Sequence, residues 1–127
     1  MIAAGVGCTS GCAAGDIQRA LVLSLSAAGR ELGEVRALYA PDWKREHAGL
    51  REAAQLLGLP LCFVTRAGLE AEAPAAVSCS KHALDRAGVP SVAETAALAG
   101  ARSGRLLGAR TIFGGATCAL ASDEGEP

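Results

Sequence analysis

The 127-residue sequence predicts an α/β fold: a three-layer α/β/α domain around a single mixed sheet of about five strands, mostly parallel, with the last strand antiparallel. Three observations predict it. Short apolar runs alternate with stretches of helical period through the first half of the chain, as in strand–helix–strand units. Half the residues are apolar but only 3% are aromatic, so alanine, leucine, valine and glycine must fill the interior, which suits helices packed closely on a sheet. Near the C-terminus two apolar runs flank Gly114-Gly115, the mark of a tight turn between antiparallel strands.

The first strand is read at Ile2–Val6. Gly5, Gly7 and Gly11 then punctuate a loop, and from Ile17 the apolar period becomes helical, with Ile17, Ala20, Leu21, Leu25 and Ala28 on one face. A glycine-rich turn into a helix lets backbone approach a ligand and aims free N–H groups at an anion. Asp16 at that helix start complements the dipole. The spacing Gly5-x-Gly7-x-x-x-Gly11 is one residue longer than the dinucleotide fingerprint, and no Gly-Lys-Ser/Thr follows, so the same glycines also fit a plain steric turn.

Val35–Ala40 is the second strand, stopped by Pro41. The polar run Asp42–His47 precedes a helix whose Leu50, Ala53, Ala54 and Leu57 face inward, closed by Gly58 and Pro60. Leu61–Thr65 lacks alternation and is expected to be a strand covered on both faces. Pro74 interrupts the next region, which reads as one helical turn and a loop. Ser78–Ala87 is a helix ended by Gly88, and Ser91-Val92-Ala93-Glu94 is a capping box opening a helix through Ala99. Leu106–Phe113 and Ala116–Ala121 form the final hairpin, with the last strand at a sheet edge and a strand order of 3-2-1-4-5. One domain over 1–121 is expected, with 122–127 a frayed acidic tail.

A net charge of −1 with no basic block leaves no electrostatic footprint for nucleic acid, and no apolar window is long enough for a membrane span. Five cysteines at unpatterned spacings, and a start without a signal-peptide pattern, point to a reduced cytoplasmic protein. Cys8-x-x-x-Cys12 and Cys79-x-x-His82 match no zinc spacing, so no metal and no cofactor is expected.

In a parallel sheet, ligands bind beyond the carboxyl ends of the strands. The loops at Gly7–Gly11 and Asp42–Lys44 share that end, and the Ser91 helix start faces it. Asp42 and Lys44 are either acid/base groups and carboxylate anchors or exposed helix-start charges; Glu94 is either a ligand-facing carboxylate or only a cap. His47 reads as a surface residue, and Trp43 as packing over the second helix, with the lining of a pocket as the alternative.

Gly5-Val6-Gly7-Cys8, Asp42-x-Lys44, Gly58-Leu59-Pro60-Leu61, the run Val89–Leu98 and Thr117–Ala121 together resemble the CobE family, homologous to the C-terminal domain of CbiG from cobalamin biosynthesis. The resemblance spans nearly the whole chain, and Val89–Leu98 is its most specific part. It implies a stand-alone protein that acts on or carries a precorrin or corrin intermediate, whose acetate and propionate arms suit N–H donors. It also implies, as an alternative, a hydrolase of the precorrin ring lactone, for which the catalytic candidates are Asp42 or Glu94 to activate water and Lys44 to stabilise the oxyanion. The α/β pattern itself leaves open a nucleotide-binding module with Asp42 as ribose acceptor after the second strand. Ligand-binding candidates are Gly5, Gly7, Cys8, Thr9, Ser10, Gly11, Ser91, Arg110 and Thr117. Contact with other cobalamin-pathway enzymes and a homodimer are left open. The family loop commonly reads Gly-Cys-Arg-Arg-Gly-Thr-Ser; here Thr9, Ser10, Gly11, Cys12 and Ala13 replace its arginines and helix-capping serine. A carboxylate at this loop therefore relies on backbone and hydroxyl donors, with Arg110 supplying charge from the hairpin.

Overall fold

The computed structural model describes residues 1–102 and 104–123, with His82 described by its backbone alone. Six strands form one open sheet: β1 (Ile2–Cys8), β2 (Val35–Pro41), β3 (Leu61–Val64), β4 (Arg105–Leu106), β5 (Thr111–Phe113) and β6 (Ala116–Ser122). The order is β3-β2-β1-β6, with β4 and β5 both beside β6. β1, β2 and β3 are mutually parallel, β6 opposes β1, and β4 and β5 oppose β6. Among the described residues five strands thus point one way and β6 alone points back.

Helices α1 (Ala14–Ala28) and α2 (Ala48–Leu57) cover one face, and α5 (Val92–Ala101) covers the other. Alternation along β1 decides which side chains meet which layer. Ile2, Ala4 and Val6 pack with Ile17, Leu21 and Leu25 of α1 and Leu50 and Ala53 of α2. Ala3 packs with Ala93 and Ala97 of α5 and with Ala119 and Ala121 of β6. Two short helices, α3 (Arg66–Ala71) and α4 (Lys81–Ala87), join the α5 layer through Leu69, Ala87, Val89 and Ala96.

Several sequence expectations need correction. The last strand is not at an edge: β6 lies inside the sheet, and six of its seven residues are buried. Its run of small apolar residues demands cover on both faces, which the exposed two- and three-residue strands β4 and β5 do not. Those two replace the single strand expected over Leu106–Phe113. β3, expected to be buried, is instead the far edge, and all four of its residues are only half-buried. β1 runs two residues further than expected, so Gly5, Gly7 and Cys8 belong to the strand rather than to a loop. Helix α1 starts at Ala14, and Thr65 caps α3 by accepting from the Gly68 amide at 3.0 Å. β6 continues through buried Ser122, and Asp123 pairs with the N-terminal amine and with Arg36. The remainder of the expected tail, 124–127, lies outside the described residues. No described helix is long and apolar enough to cross a membrane.

Candidate functional site

A cleft of about 470 Å³ opens at the carboxyl ends of the parallel strands. It stands where the chain winds from β1 to β2 over one face and returns to β6 through the layer on the other, the usual ligand position in an open α/β sheet. Gly7 and Cys8 end β1 at its floor, and Thr9 and Ser10 continue beyond it. Thr117 of β6 donates its hydroxyl proton to the Gly7 carbonyl (3.2 Å), and a Cβ on Gly7 would press to 2.7 Å from that hydroxyl oxygen. A side chain here would displace that hydroxyl from its hydrogen bond.

The first loop is braced from α2. The His47 ring accepts from the Leu50 amide at Nδ1 (3.1 Å), capping α2, while Nε2 lies 2.8 Å from the Thr9 carbonyl oxygen. With Nδ1 accepting, the proton sits on Nε2 and is donated to Thr9. His47, expected at the surface, thus ties two loops together. Gly49 lets the Cys12 carbonyl and the Ala14 amide lie against α2, because a Cβ there would collide with that carbonyl. This packing turns the chain away after Ser10. The first turn of α1, expected to present its amides, does not line the cleft, and neither does Gly11.

The other walls bring in Lys44 from the 3₁₀ turn Asp42–Lys44, Arg66 from the start of α3, Arg86 from α4, and Arg110 from before β5. Four cations and no aspartate or glutamate line the cleft among the described residues. Among the described residues none of the four is ion-paired to a carboxylate. Trp43 stands at the wall, 42% exposed, with the Arg66 guanidinium carbon 4.5 Å from its ring centroid. Its place is the cleft, not the second helix. Arg66 also donates to the Ala87 carbonyl at 2.8 Å, joining α3 to the end of α4.

Glu94 behaves differently from expectation. Ser91 caps α5 by accepting from the Glu94 amide (3.3 Å), but the reciprocal half of the capping box is replaced by a longer reach. The fully buried carboxylate accepts from the amides of Val77 (2.9 Å), Ser78 (2.8 Å) and Arg110 (2.9 Å) and from the Ser78 hydroxyl (2.6 Å). Burial alone would raise this carboxyl; the Ser78 hydroxyl and the three amides outweigh it and hold it below the usual range. Burial also pushes the Cys8 thiol up to about 11, with Lys44 opposing, so it is no thiolate at neutral pH.

Of the sequence candidates, Gly7, Cys8, Thr9, Ser10, Lys44, Ser91, Arg110 and Thr117 come together at the cleft; Gly5, Gly11, Asp42 and Glu94 are not among its lining. Arg66, Ser80 and Arg86 were missed. Arg66 was within reach, since it follows the third parallel strand by two residues. Ser80, Ala83 and Arg86 or Ala87 form a helical stripe that resembles any surface helix in sequence. His82, considered with Cys79 as a metal ligand, has a side chain outside the described residues. Among the rest, no three His, Cys, Asp or Glu side chains cluster as metal ligands would.

Comparison with known proteins places this geometry. Residues 2–121 match the family model described as cobalamin synthesis G C-terminus. Protein CobE from Sinorhizobium sp. is 33% identical over 118 residues, covering 92% of this chain and 77% of the relative. The crystal structure of a CobE, a protein from the cobalamin (vitamin B12) biosynthetic pathway, superposes with a TM-score of 0.94 at 39% identity, over 100% of this chain and 93% of that one. The cobalamin biosynthesis protein ChiG from Agrobacterium tumefaciens str. C58 gives 0.77 at 37% identity, over 98% and 100%. A cobalamin biosynthesis protein G homolog from Sulfolobus solfataricus, 19% identical, shares the fold with a TM-score of 0.72 over 97% of this chain and 37% of its own. The chain therefore belongs to the CobE/CbiG C-terminal family, proteins of cobalamin biosynthesis.

Proposed function

We propose that the chain holds a polycarboxylate corrin-ring precursor in this cleft, carrying or presenting a pathway intermediate. The observation that carries this reading is the wall of Lys44, Arg66, Arg86 and Arg110, with no lining carboxylate among the described residues. Cations on several walls match a ligand with acidic arms around a flat ring, and charge-assisted hydrogen bonds to carboxylates are the strong class. Thr9, Ser10, Ser80 and Thr117 add hydroxyls, and Trp43 adds a ring face.

The test is calorimetric titration with hydrogenobyrinic acid and with the same ring fully amidated. The acid form should bind about tenfold or more tightly than the amide, with an affinity that falls as salt rises. Equal affinity for both, or no heat and no visible-band shift at high ligand concentration, removes the reading.

The lactone-hydrolase alternative lacks a free base: Glu94 is committed to four donors, and Asp42 does not line the cleft. Turnover of a precorrin lactone by this chain alone, lost in Asp42→Asn, would restore it. The nucleotide-binding alternative also needs Asp42 in the cleft, as ribose acceptor.

A further inference from the structure

We propose that Glu94 is a positioning residue: its one buried carboxylate holds α4 and Arg110 in register around the cleft. Oε1 takes the amides of Val77 and Ser78, which lead into α4; Oε2 takes the Ser78 hydroxyl and the Arg110 amide. Two stretches remote in sequence thus converge on one side chain of α5. From them come Ser80, Arg86 and Arg110, which line one side of the cleft.

The other contacts of that side are few among the described residues. Of the α4 side chains described, only Ala83 and Ala87 are buried. The helix hangs from the Ser80 amide on the Pro90 carbonyl (2.8 Å) at one end and from Arg66 on the Ala87 carbonyl at the other. Glu94 adds an anchor from α5 on the stretch that leads into the helix, beside the packing of Ala87 and Val89. The carboxylate takes the Arg110 amide and, among the described residues, makes no ion pair with its guanidinium, so the Arg110 side chain still lines the cleft.

This inference rests on the proposed ligand for its consequence but not for its geometry, and the test separates the two. Glu94→Gln should melt cooperatively, with the amides of Val77, Ser78 and Arg110 exchanging about tenfold or more faster while β1 and α1 stay unchanged. Affinity for hydrogenobyrinic acid should fall about tenfold, and its dependence on salt should flatten, because Arg86 and Arg110 no longer reach the ligand. A general loss of structure would lower affinity without changing that slope. Ser78→Ala, which keeps the charge and removes one donor, should speed exchange at Ser78 and weaken binding about two- to threefold; it carries the test if Glu94→Gln does not fold. Exchange unchanged at these amides, or raised equally in β1 and α1, overturns the proposal, as does unaltered affinity in a folded Glu94→Gln protein. If the wild-type chain ignores hydrogenobyrinic acid, the proposed function falls, and exchange alone decides the role of Glu94.

Discussion

The two faces of β1 are packed on opposite plans. Toward α1 and α2 the strand shows Ile2, Ala4 and Val6, and branched side chains from the helices fill the space. Toward α5 it shows Ala3 and Gly5, met by Ala93 and Ala97. On that side a Cβ on Gly5 would collide with the Ala93 carbonyl and the Ala97 amide, and one on Gly100 would stand 2.6 Å from the Tyr39 ring. The first face is filled by side chains, which can repack; the second is backbone against backbone, which cannot. The face that tolerates nothing larger is also the one that brings Ser91 to the cleft and sets Glu94 behind its wall.

Adding a methyl to the tight face should be the most damaging change. Gly5→Ala should cost about 3 kcal/mol in denaturant unfolding, at the upper end for overpacking because the obstacle is main chain. A loss under about 1 kcal/mol would mean that α5 can slide, and the contrast between the faces would fail. Next comes Glu94→Gln, with a loss of about 2 kcal/mol, since buried hydrogen bonds to a charge weaken together.

The same residue sets a pH dependence whose sign follows from its depressed folded-state value. The contribution is complete above the unfolded value of about 4.3 and disappears as pH falls through the lower folded value. The acid limb of a stability–pH curve should therefore be shallower in Glu94→Gln than in wild type. Asp123 adds a second acid-sensitive step: burial works to raise its carboxyl, but the N-terminal amine and Arg36 lower it. On the repackable face, Ile17→Val should cost only about 1 kcal/mol in the same unfolding assay. Smallest for stability is Arg86→Gln, within about 0.5 kcal/mol of wild type, yet it should weaken hydrogenobyrinic acid binding severalfold by calorimetry.

The contrast also explains what was legible in the sequence. β1, β2, α1 and α2 showed themselves because large apolar residues recur at strand and helix periods. The α5 face carries alanine and glycine, whose periodicity is nearly silent, and most of that helix is buried. Ser91 was recognisable as a cap because its partner is three residues away. The partners of Glu94 lie 16 and 17 residues distant in both directions, where no local pattern reaches. A hairpin connection to β5 suits an edge strand as well as an inner one; the apolar run Cys118–Ala121 is what demands cover on both faces of β6.

Trp43 is the single tryptophan of the chain, and it stands half-open at the mouth of the cleft beneath Arg66. Its emission therefore comes from one known place, and a tetrapyrrole lodged there would accept that energy over a few ångströms. Were the proposed ligand to bind, quenching of Trp43 would gauge occupancy without any label or engineered probe.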